Sequence, residues 1–337
     1  MPQSLLRVGF VGCGYHATLN ILPSLRFAPI ELVAVCDLNR ERAEQAARWF
    51  CAKEIVPTAD ELVRHKDIDA VFVVGPPSLH TSVAISAMRA GKHVFMEKPS
   101  GDNLEQARQI QQTARETGQA CMVGFMKRFA DTYSRAKALM SDPAFGRPTH
   151  IFARYGHWNL NCLHDHLAYM SVHLIDLVRF FMGDYARLTA EVNVRNGQYS
   201  FALSARFRSG AVGNLVSTAQ QPRVQERVEI TGERQLIVVD NLVNLEVHSP
   251  SCNGLDRKFE LSDIQTYRPD FSIPNLNQNN LWFQGYVGEV IHFAESVLAG
   301  RSPIPNADDG VAVMRIVDWL EHDPTNPLEL TQVEESS

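Results

Sequence analysis

LLRVGFVGCGYHA, residues 5–17, has the pattern of a buried strand, a glycine turn and the start of a helix. Residues 5–11 are apolar and rich in β-formers, as in a strand of a parallel sheet. Gly12 permits a tight turn, Gly14 lets the backbone approach a pyrophosphate, and Ala17 replaces a third glycine where helix packs on strand. The run predicts a dinucleotide-binding unit.

The residues around this turn specify the expected cofactor contacts. Tyr15 and His16 open the helix, whose N-terminus offers N–H groups and a positive dipole end to phosphates. A second apolar run at 30–36 ends in Asp37, where an acid is expected to bind the ribose hydroxyls and to repel a 2′-phosphate. We therefore expect NAD, with NADP left open because Arg40 lies close to Asp37. The alternative is a glycine-rich turn in an unrelated α/β protein.

Short apolar strands alternate with amphipathic helices over residues 1–124. The predicted strands are 5–11, 30–36, 70–74, 93–96 and 120–123. This alternation implies parallel strands joined by right-handed crossovers. We predict an α/β fold in which residues 1–124 form a Rossmann-type doubly wound sheet that binds NAD(P).

Residues 125–330 have a different pattern, which predicts an α+β domain with an open, mostly antiparallel sheet for substrate binding and oligomerisation. Helices are expected at 130–140 and 167–182, and a strand at 149–156. Further strands are expected at 186–194, 199–207, 210–218, 224–231, 235–240 and 242–247. Polar residues 264–280 predict a surface loop, and closing helices are expected at 281–299 and 308–321. An uncovered sheet face favours dimerisation.

Composition narrows the class of protein. The chain has 337 residues, of which 45% are apolar and 21% charged, as in a globular protein with room for two domains. The net charge of −6 and the lack of a basic stripe argue against a nucleic-acid partner and favour a small-molecule ligand. The start MPQSLLRVGFVGCG has no signal-peptide pattern, and no apolar run approaches the about 20 residues that span a bilayer. We expect a cytoplasmic protein with no membrane partner.

The run HVFMEKPSG, residues 93–101, places Lys98 directly after a predicted buried strand. Ligands of doubly wound sheets bind at this carboxyl end of the strands. Pro99 restricts Lys98 to an extended or turn backbone, and burial would lower its pKa toward neutrality, against the effect of Glu97. The pattern predicts that Lys98 transfers a proton during hydride transfer between an alcohol and nicotinamide. The alternative is a surface lysine in an exposed turn.

The predicted helix 167–182 carries a second set of polar groups. At about 100° per residue, Tyr169, His173 and Asp176 fall in one stripe beside a separate apolar face. One interpretation is that this stripe faces a substrate. On helix geometry alone it is equally well a solvated face with one histidine whose hydrogen bonds are made within the protein.

Histidines cluster in the predicted loop before this helix, at His157, His164 and His166, with Asp165 between the last two. His-x-His with a third histidine permits zinc. A clear fourth ligand is missing and nicotinamide chemistry needs no metal, so we expect none. We interpret these residues as lining the mouth of a substrate pocket, or as lying on the loop without a role.

Together these motifs resemble the Gfo/Idh/MocA family, named for glucose-fructose oxidoreductase, inositol dehydrogenase and MocA. The resemblance extends over nearly the whole chain, and the Glu97-Lys98-Pro99 signature in this setting is fairly specific. Its marks are VGFVGCGYHA, VAVCDLNRERA, VVGPPSLHTSVAISAMRAGKHVFMEKPSGDN, GFMKRFA, VHLIDLVRFFMGD and EVIHFAESVLAGRSPIPNADDGVAVMRIVDWL.

The resemblance implies a Rossmann domain, an α/β domain with an open sheet, and a homodimer or homotetramer built through that sheet. It implies NAD(P)-dependent oxidation or reduction of a sugar, cyclitol or related polyol, with Lys98 catalytic and Lys127 or Arg128 in contact with cofactor or substrate. The implied cofactor-binding residues beyond the glycine turn and Asp37 are Pro76, Pro77, His80, Glu97, Lys98 and Arg128.

One position departs from the family pattern D-x-G-x-H. Tyr169 stands at the aspartate and Ser171 at the glycine, whereas His173 and Asp176 fit. A tyrosine hydroxyl transfers a proton when a neighbouring cation lowers its pKa, so we expect Tyr169 or His173 to share a proton relay with Lys98. The departure leaves open another substrate, such as a nucleotide-linked keto sugar. It also leaves open a non-catalytic dinucleotide-binding regulator and an NAD-dependent glycosidase of the same family.

Overall fold

A computed structural model describes residues 5–158, 160, 162–250, 262–268 and 279–330. Its first sheet has six parallel strands in the order β3-β2-β1-β4-β5-β6. These strands are β1 (Leu6–Val11), β2 (Ile30–Cys36), β3 (Glu54–Ile55), β4 (Ala70–Val73), β5 (His93–Glu97) and β6 (Cys121–Gly124). The predicted Rossmann-type sheet is confirmed. Only β3 was not predicted, because its two residues are exposed and carry no apolar pattern.

Helices connect the strands of this sheet. A π turn (Ala17–Ile21), α1 (Leu22–Ser24) and a 3₁₀ turn (Leu25–Phe27) form one helical segment after β1. The others are α2 (Arg40–Phe50), α3 (Ala59–Val63), α4 (Pro77–Arg89), α5 (Leu104–Thr117) and a 3₁₀ turn (Met126–Phe129). The side chains of Asn39, Thr58 and Asn103 cap α2, α3 and α5 by accepting backbone N–H bonds from the first turn. Local sequence therefore sets where these helices begin.

The second sheet has nine strands in the order β14-β13-β12-β11-β7-β10-β9-β8-β15, antiparallel except for β7 with β10. The strands are β7 (Pro148–Gly156), β8 (Tyr185–Arg195), β9 (Gln198–Phe207), β10 (Val212–Thr218), β11 (Gln225–Gly232), β12 (Leu236–Asp240), β13 (Asn244–Pro250), β14 (Ser262–Tyr267) and β15 (Leu328–Glu329). Burial alternates along β9, so one face of the sheet carries the apolar side chains. The predicted mostly antiparallel sheet is confirmed.

The remaining helices are α6 (Asp131–Met140), α7 (Leu163–Asp165), a π turn (His166–Ser171), α8 (Val172–Met182), α9 (Asn279–Phe283), α10 (Tyr286–Leu298) and α11 (Ala307–His322). Two predictions here were wrong. The expected loop 264–280 begins within β14, which pairs with β13, and residues 269–278 lie outside the described part of the chain. The expected single helix 281–299 is divided, because Gly285 has a φ of 93°. Within the described residues, we find no helix long and apolar enough to cross a bilayer.

The chain divides into two compact units. One comprises Met1–Phe129 with Gly285–Asp318, and the other comprises Ala130–Gln284 with Trp319–Ser337. The sequence had placed everything from residue 125 to 330 in the second domain, whereas α10 packs in the first unit. The reason is the packing of Phe293 on α10. Its ring centroid lies 5.3 Å from that of Phe72 and 5.8 Å from that of Phe95.

Candidate active site

Gly12 connects β1 to the helical segment, and only glycine fits there. Its φ is 92°, and a Cβ at this position would lie 1.9 Å from the carbonyl oxygen of Val74. A side chain is therefore excluded by both backbone conformation and space. Ala17 is completely buried, as expected for the position where the helix packs closely on the sheet.

Gly14 is different, because a Cβ built there would meet no atom of the chain within 4 Å. Neighbouring Tyr15 is 82% exposed. Packing of the protein therefore does not require the glycine at residue 14. Open space over the backbone at the start of a helix is what a dinucleotide pyrophosphate needs in order to approach closely.

Asp37 directly follows β2 and is hydrogen-bonded to the glycine turn. Its Oδ2 accepts the Cys13 N–H at 2.7 Å, and its Oδ1 accepts the Asn39 N–H at 2.8 Å. An ionised carboxylate has about four lone-pair sites, so acceptor capacity remains for ribose hydroxyls. Gly14 and Asp37 thus fit a nicotinamide dinucleotide by their own geometry.

His80 fixes the turn that carries Lys98. The Nδ1 of His80 lies 3.0 Å from the carbonyl oxygen of Pro99, to which it donates, and its Nε2 accepts the Gly75 N–H at 3.2 Å. The side chain is completely buried, and burial lowers its pKa below the usual value. Both ring nitrogens form hydrogen bonds with backbone groups, so His80 connects the segment that follows β4 to the segment that follows β5. Pro76 is exposed, and Pro77 is buried at the start of α4.

Lys98 follows the last residue of β5, and its peptide bond to Pro99 is cis. Burial lowers the pKa of Lys98 below its usual value, and the nearby ammonium of Lys127 lowers it further, whereas Glu97 opposes the shift. The side chain of Lys127 is itself buried. A lysine with a lowered pKa at the end of a parallel strand is suited to take up and release a proton.

Glu97 brings two distant motifs together. Its Oε1 lies 3.2 Å from His16 Nε2 of the glycine-turn helix, and its Oε2 accepts the Lys98 N–H at 3.2 Å. Burial alone would raise the pKa of Glu97, but His16, Lys98 and His80 together hold it below the usual value. The glycine turn and the turn that carries Lys98 therefore lie next to each other in the first unit.

Glu289 on α10 is a further member of this cluster that sequence reasoning missed. It is completely buried, and neither carboxylate oxygen has a hydrogen-bond partner among the described residues. Burial and the charge of Glu97 raise its pKa well above the usual value, which favours the protonated form. The available signal was an acid on an otherwise apolar helix face, between Tyr286 and Phe293. Tyr286 also packs its ring against that of His16, with centroids 5.6 Å apart.

Arg128 has a partner far away in sequence. Its Nη2 donates to Asp309 Oδ1 at 3.0 Å, and both side chains are almost completely buried. Asp309 Oδ2 also accepts the Asn306 N–H at 2.8 Å, at the start of α11. The geometry therefore gives Arg128 a structural ion pair, and its expected contact with cofactor stays a prediction.

The second unit contains the other expected site residues. His173 and Asp176 on α8 are buried, which rules out the solvated-face interpretation for both. Tyr169 is 37% exposed and lies in the π turn that precedes α8. The expected single stripe assumed a regular α-helix, and a π turn departs from 100° per residue.

The histidines near this helix are arranged differently from the expectation. His164, Asp165 and His166 belong to a helical segment that begins at Leu163, not to a loop. His164 Nδ1 lies 3.3 Å from Glu321 Oε1. His157 and His166 are completely buried, with ring centroids 4.8 Å apart. Within the described ranges, no group of three or more His, Cys, Asp or Glu residues is arranged to hold a metal ion.

Comparison with protein-family models gives two matches. Residues 6–125 match the GFO/IDH/MocA model described as an oxidoreductase family with an NAD-binding Rossmann fold. Residues 133–238 match the GFO/IDH/MocA C-terminal domain.

Known proteins are similar over nearly the whole chain. The scyllo-inositol 2-dehydrogenase (NAD(+)) of Bacillus subtilis is 28% identical over 321 residues, which cover 88% of this chain and 86% of that protein. The crystal structure of a dehydrogenase from Chromobacterium violaceum superposes with a TM-score of 0.85 at 25% identity, covering 94% of each chain. A levoglucosan dehydrogenase in complex with NADH and L-sorbose has the same fold, with a TM-score of 0.85 at 21% identity, covering 98% of this chain and 100% of that one.

Proposed function

The chain belongs to the Gfo/Idh/MocA family of NAD-binding oxidoreductases, and on that premise we propose that it is an NAD-dependent dehydrogenase acting on an inositol or related sugar polyol. In the oxidative direction a secondary alcohol loses a hydride and a proton and becomes a ketone. NAD⁺, when bound, supplies the hydride acceptor. The protein has to bind the polyol, orient it and accept the hydroxyl proton.

The observation that supports this proposal most directly is the distance of 3.2 Å between His16 Nε2 and Glu97 Oε1. It joins the expected dinucleotide turn to the turn that carries Lys98. Burial lowers the pKa of Lys98, so more of it is neutral and able to accept a proton near neutral pH. We assign to Lys98 the removal of the hydroxyl proton, and to Glu97 and His80 the positioning of its backbone.

The rest of the proton relay rests on the family resemblance. It assigns His173 and Asp176 to the transfer of the proton beyond Lys98. We add Tyr169, which stands at the family's aspartate and whose hydroxyl can transfer a proton. Burial of His173 and Asp176 in the second unit is compatible with such a role. The dehydrogenase named for scyllo-inositol and the structure named for levoglucosan support uncharged polyols as the substrate class.

The test is formation of reduced nicotinamide by the purified chain. NAD and NADP are each supplied with scyllo-inositol, myo-inositol, levoglucosan, L-sorbose and nucleotide sugars, and absorbance of the reduced cofactor is followed. We expect reduction of NAD with at least one polyol. Binding of NAD without turnover of any candidate would favour a regulator. If the protein retains NAD tightly and cleaves a glycoside without net formation of NADH, the glycosidase is favoured.

A further inference from the structure

Helix α10 packs closely against the glycine-turn helix and the 3₁₀ turn after β6, all within the first unit. The ring of Tyr286 lies against that of His16, with centroids 5.6 Å apart. A Cβ on Gly288 would lie 2.9 Å from the Cβ of Phe129, so the glycine lets α10 approach the 3₁₀ turn. These contacts hold Glu289, the next residue of α10, in a fixed place beside the candidate site.

Glu289 is an acid in an apolar environment. Its side chain is completely buried, and Val287, Val290 and Phe293 of the same helix are buried as well. Neither of its carboxylate oxygens has a hydrogen-bond partner among the described residues. A buried polar group without a partner destabilises a folded protein, and an apolar side chain of similar size avoids this cost. The stability of the fold therefore does not explain the acid at residue 289.

Glu97 is the charged residue that acts on Glu289. The titratable groups around Glu97 and the turn that follows it come from the glycine-turn helix, α4, the residue after β5 and the 3₁₀ turn, and they are His16, His80, Lys98 and Lys127. Together His16, Lys98 and His80 keep Glu97 ionised, and its charge and burial raise the pKa of Glu289 well above the usual value. The two carboxyl groups thus hold one negative charge and one proton.

The proposed reaction places a positive charge near this pair. Lys98, which directly follows Glu97, takes the hydroxyl proton from the carbon that gives up the hydride, so the nicotinamide ring has to lie against the same carbon. This ring is cationic in NAD⁺ and neutral in NADH. Two unit charges about 10 Å apart, at an effective dielectric constant of about 20, change an equilibrium about 10-fold. A cation here therefore favours the ionised form of Glu289.

We propose that Glu289 is a positioning residue that acts through Glu97 on Lys98: it holds a proton in the free protein and releases it to solvent when NAD⁺ binds. The second negative charge then offsets the cationic ring, so that Lys98 still accepts a proton from the polyol. In the NADH complex the positive charge is gone, and Glu289 recovers a proton from solvent. The proposal rests on the proposed function and adds to it a link between cofactor charge and the protonation of the site.

The first test counts the protons that the full chain releases when it binds NAD⁺. Calorimetry in buffers of different ionisation enthalpy gives this number for the wild type and for Glu289→Gln, at several pH values. We expect greater release by the wild type, because the amide does not ionise, and a rise of its NAD⁺ affinity with pH that is up to about 10-fold larger. NADH is the matched ligand, and with it both proteins should release equal numbers of protons.

Glu295→Gln is the control variant, because Glu295 is exposed on the same helix, and it should behave as the wild type. Equal proton release by the wild type and Glu289→Gln on binding NAD⁺ would overturn the role of Glu289 and leave the dehydrogenase assignment intact. If the wild type binds no NAD⁺, the proposed function itself is overturned, and this proposal with it.

The second test needs no variant and no turnover. Infrared spectroscopy of the chain labelled with carbon-13 glutamate detects the carbonyl stretch of a protonated carboxyl group. We expect this absorption in the free protein at neutral pH, its loss on addition of NAD⁺ and its persistence with NADH. A free protein that lacks the absorption, or an absorption that NAD⁺ leaves unchanged, would overturn the proposal even if Glu289→Gln failed to fold.

Discussion

His16 Nε2 lies 3.2 Å from Glu97 Oε1, although the two residues belong to motifs in different parts of the sequence. Asn20 Nδ2 lies 3.0 Å from His16 Nδ1 and can donate to it, which leaves the proton on Nε2 facing the carboxylate. Glu97 in turn accepts the N–H of Lys98. The conformation of the glycine-turn helix is thereby connected to the backbone of the proposed base.

Replacement of Lys98 by methionine should slow proton transfer with little effect on cofactor binding. We expect Lys98→Met to lower kcat by about 10² or more, since general base catalysis contributes about 10²–10⁴. NAD affinity should change little. Steady-state kinetics and calorimetry measure the two effects. Lys53→Met is the control, because Lys53 is exposed and pairs with Glu31; equal turnover in both variants would remove Lys98 from the mechanism.

The pH dependence of oxidation should report the lowered pKa of Lys98. The base acts when neutral, so kcat/KM should rise with pH and level off below about 10.4, the ordinary lysine value. The cause of the shift is burial, with Lys127 adding to it. If kcat/KM still rises with pH at the ordinary lysine pKa, the assignment of Lys98 as the base is contradicted. The measurement is kcat/KM across alkaline pH at saturating NAD.

The two glycines of the turn should respond differently to alanine. Gly12→Ala forces a Cβ to 1.9 Å from the Val74 carbonyl oxygen at a φ of 92°, so we expect a loss of more than about 2 kcal/mol of unfolding free energy. Gly14→Ala meets no atom within 4 Å, and stability should change by about 0.5 kcal/mol or less. NAD affinity should nevertheless fall about 10-fold or more. Unchanged affinity in Gly14→Ala, measured by calorimetry, would place the cofactor elsewhere.

Asp37 should determine the choice between NAD and NADP. Asp37→Ser removes the charge that repels a 2′-phosphate, so the ratio of NADP to NAD affinity should rise about 10-fold. Asp37 also holds the Cys13 and Asn39 N–H groups, and a loosened turn would weaken both cofactors, which is why the ratio is the proper readout. Glu41→Ser, on the exposed first turn of α2, serves as control. An unaltered ratio would refute the ribose contact.

Glu289 should make the protein less stable as the pH rises. Its folded-state pKa is raised by burial and by Glu97, so above about 4.3 the unfolded chain releases a proton that the folded chain retains. Stability then falls by up to about 1.4 kcal/mol per pH unit until the folded pKa is passed. The isosteric, neutral Glu289→Gln should gain stability relative to the wild type over this range. Urea unfolding between pH 5 and pH 8 tests this, with exposed Glu295→Gln as control. Parallel curves for wild type and Glu289→Gln would show that Glu289 is ionised in the folded protein.

Much of the fold follows from short-range pattern. The strand, glycine turn and helix at residues 5–17 and the apolar strands of the first sheet agree with prediction, because their signals act locally. Caps such as those at Asn39 and Asn103 act locally as well. The parallel, doubly wound arrangement of the first sheet also follows, because strands that alternate with helices permit few topologies. Prediction failed where local pattern is weak, as in two-residue β3, or where a π turn replaces regular helix before α8.

Local sequence pattern was enough to predict the family, the two sheets and the places of Gly12, Gly14, Asp37 and Lys98 in the fold. The contacts between groups that are distant in the sequence became visible in the folded chain. Arg128 with Asp309, Glu97 with Glu289, and His157 with His166 are brought together by packing of elements that are separate in the chain. Sequence pattern does not contain these contacts, because burial and hydrogen-bond partners, which set charge and tautomer, belong to the folded environment and not to any residue alone.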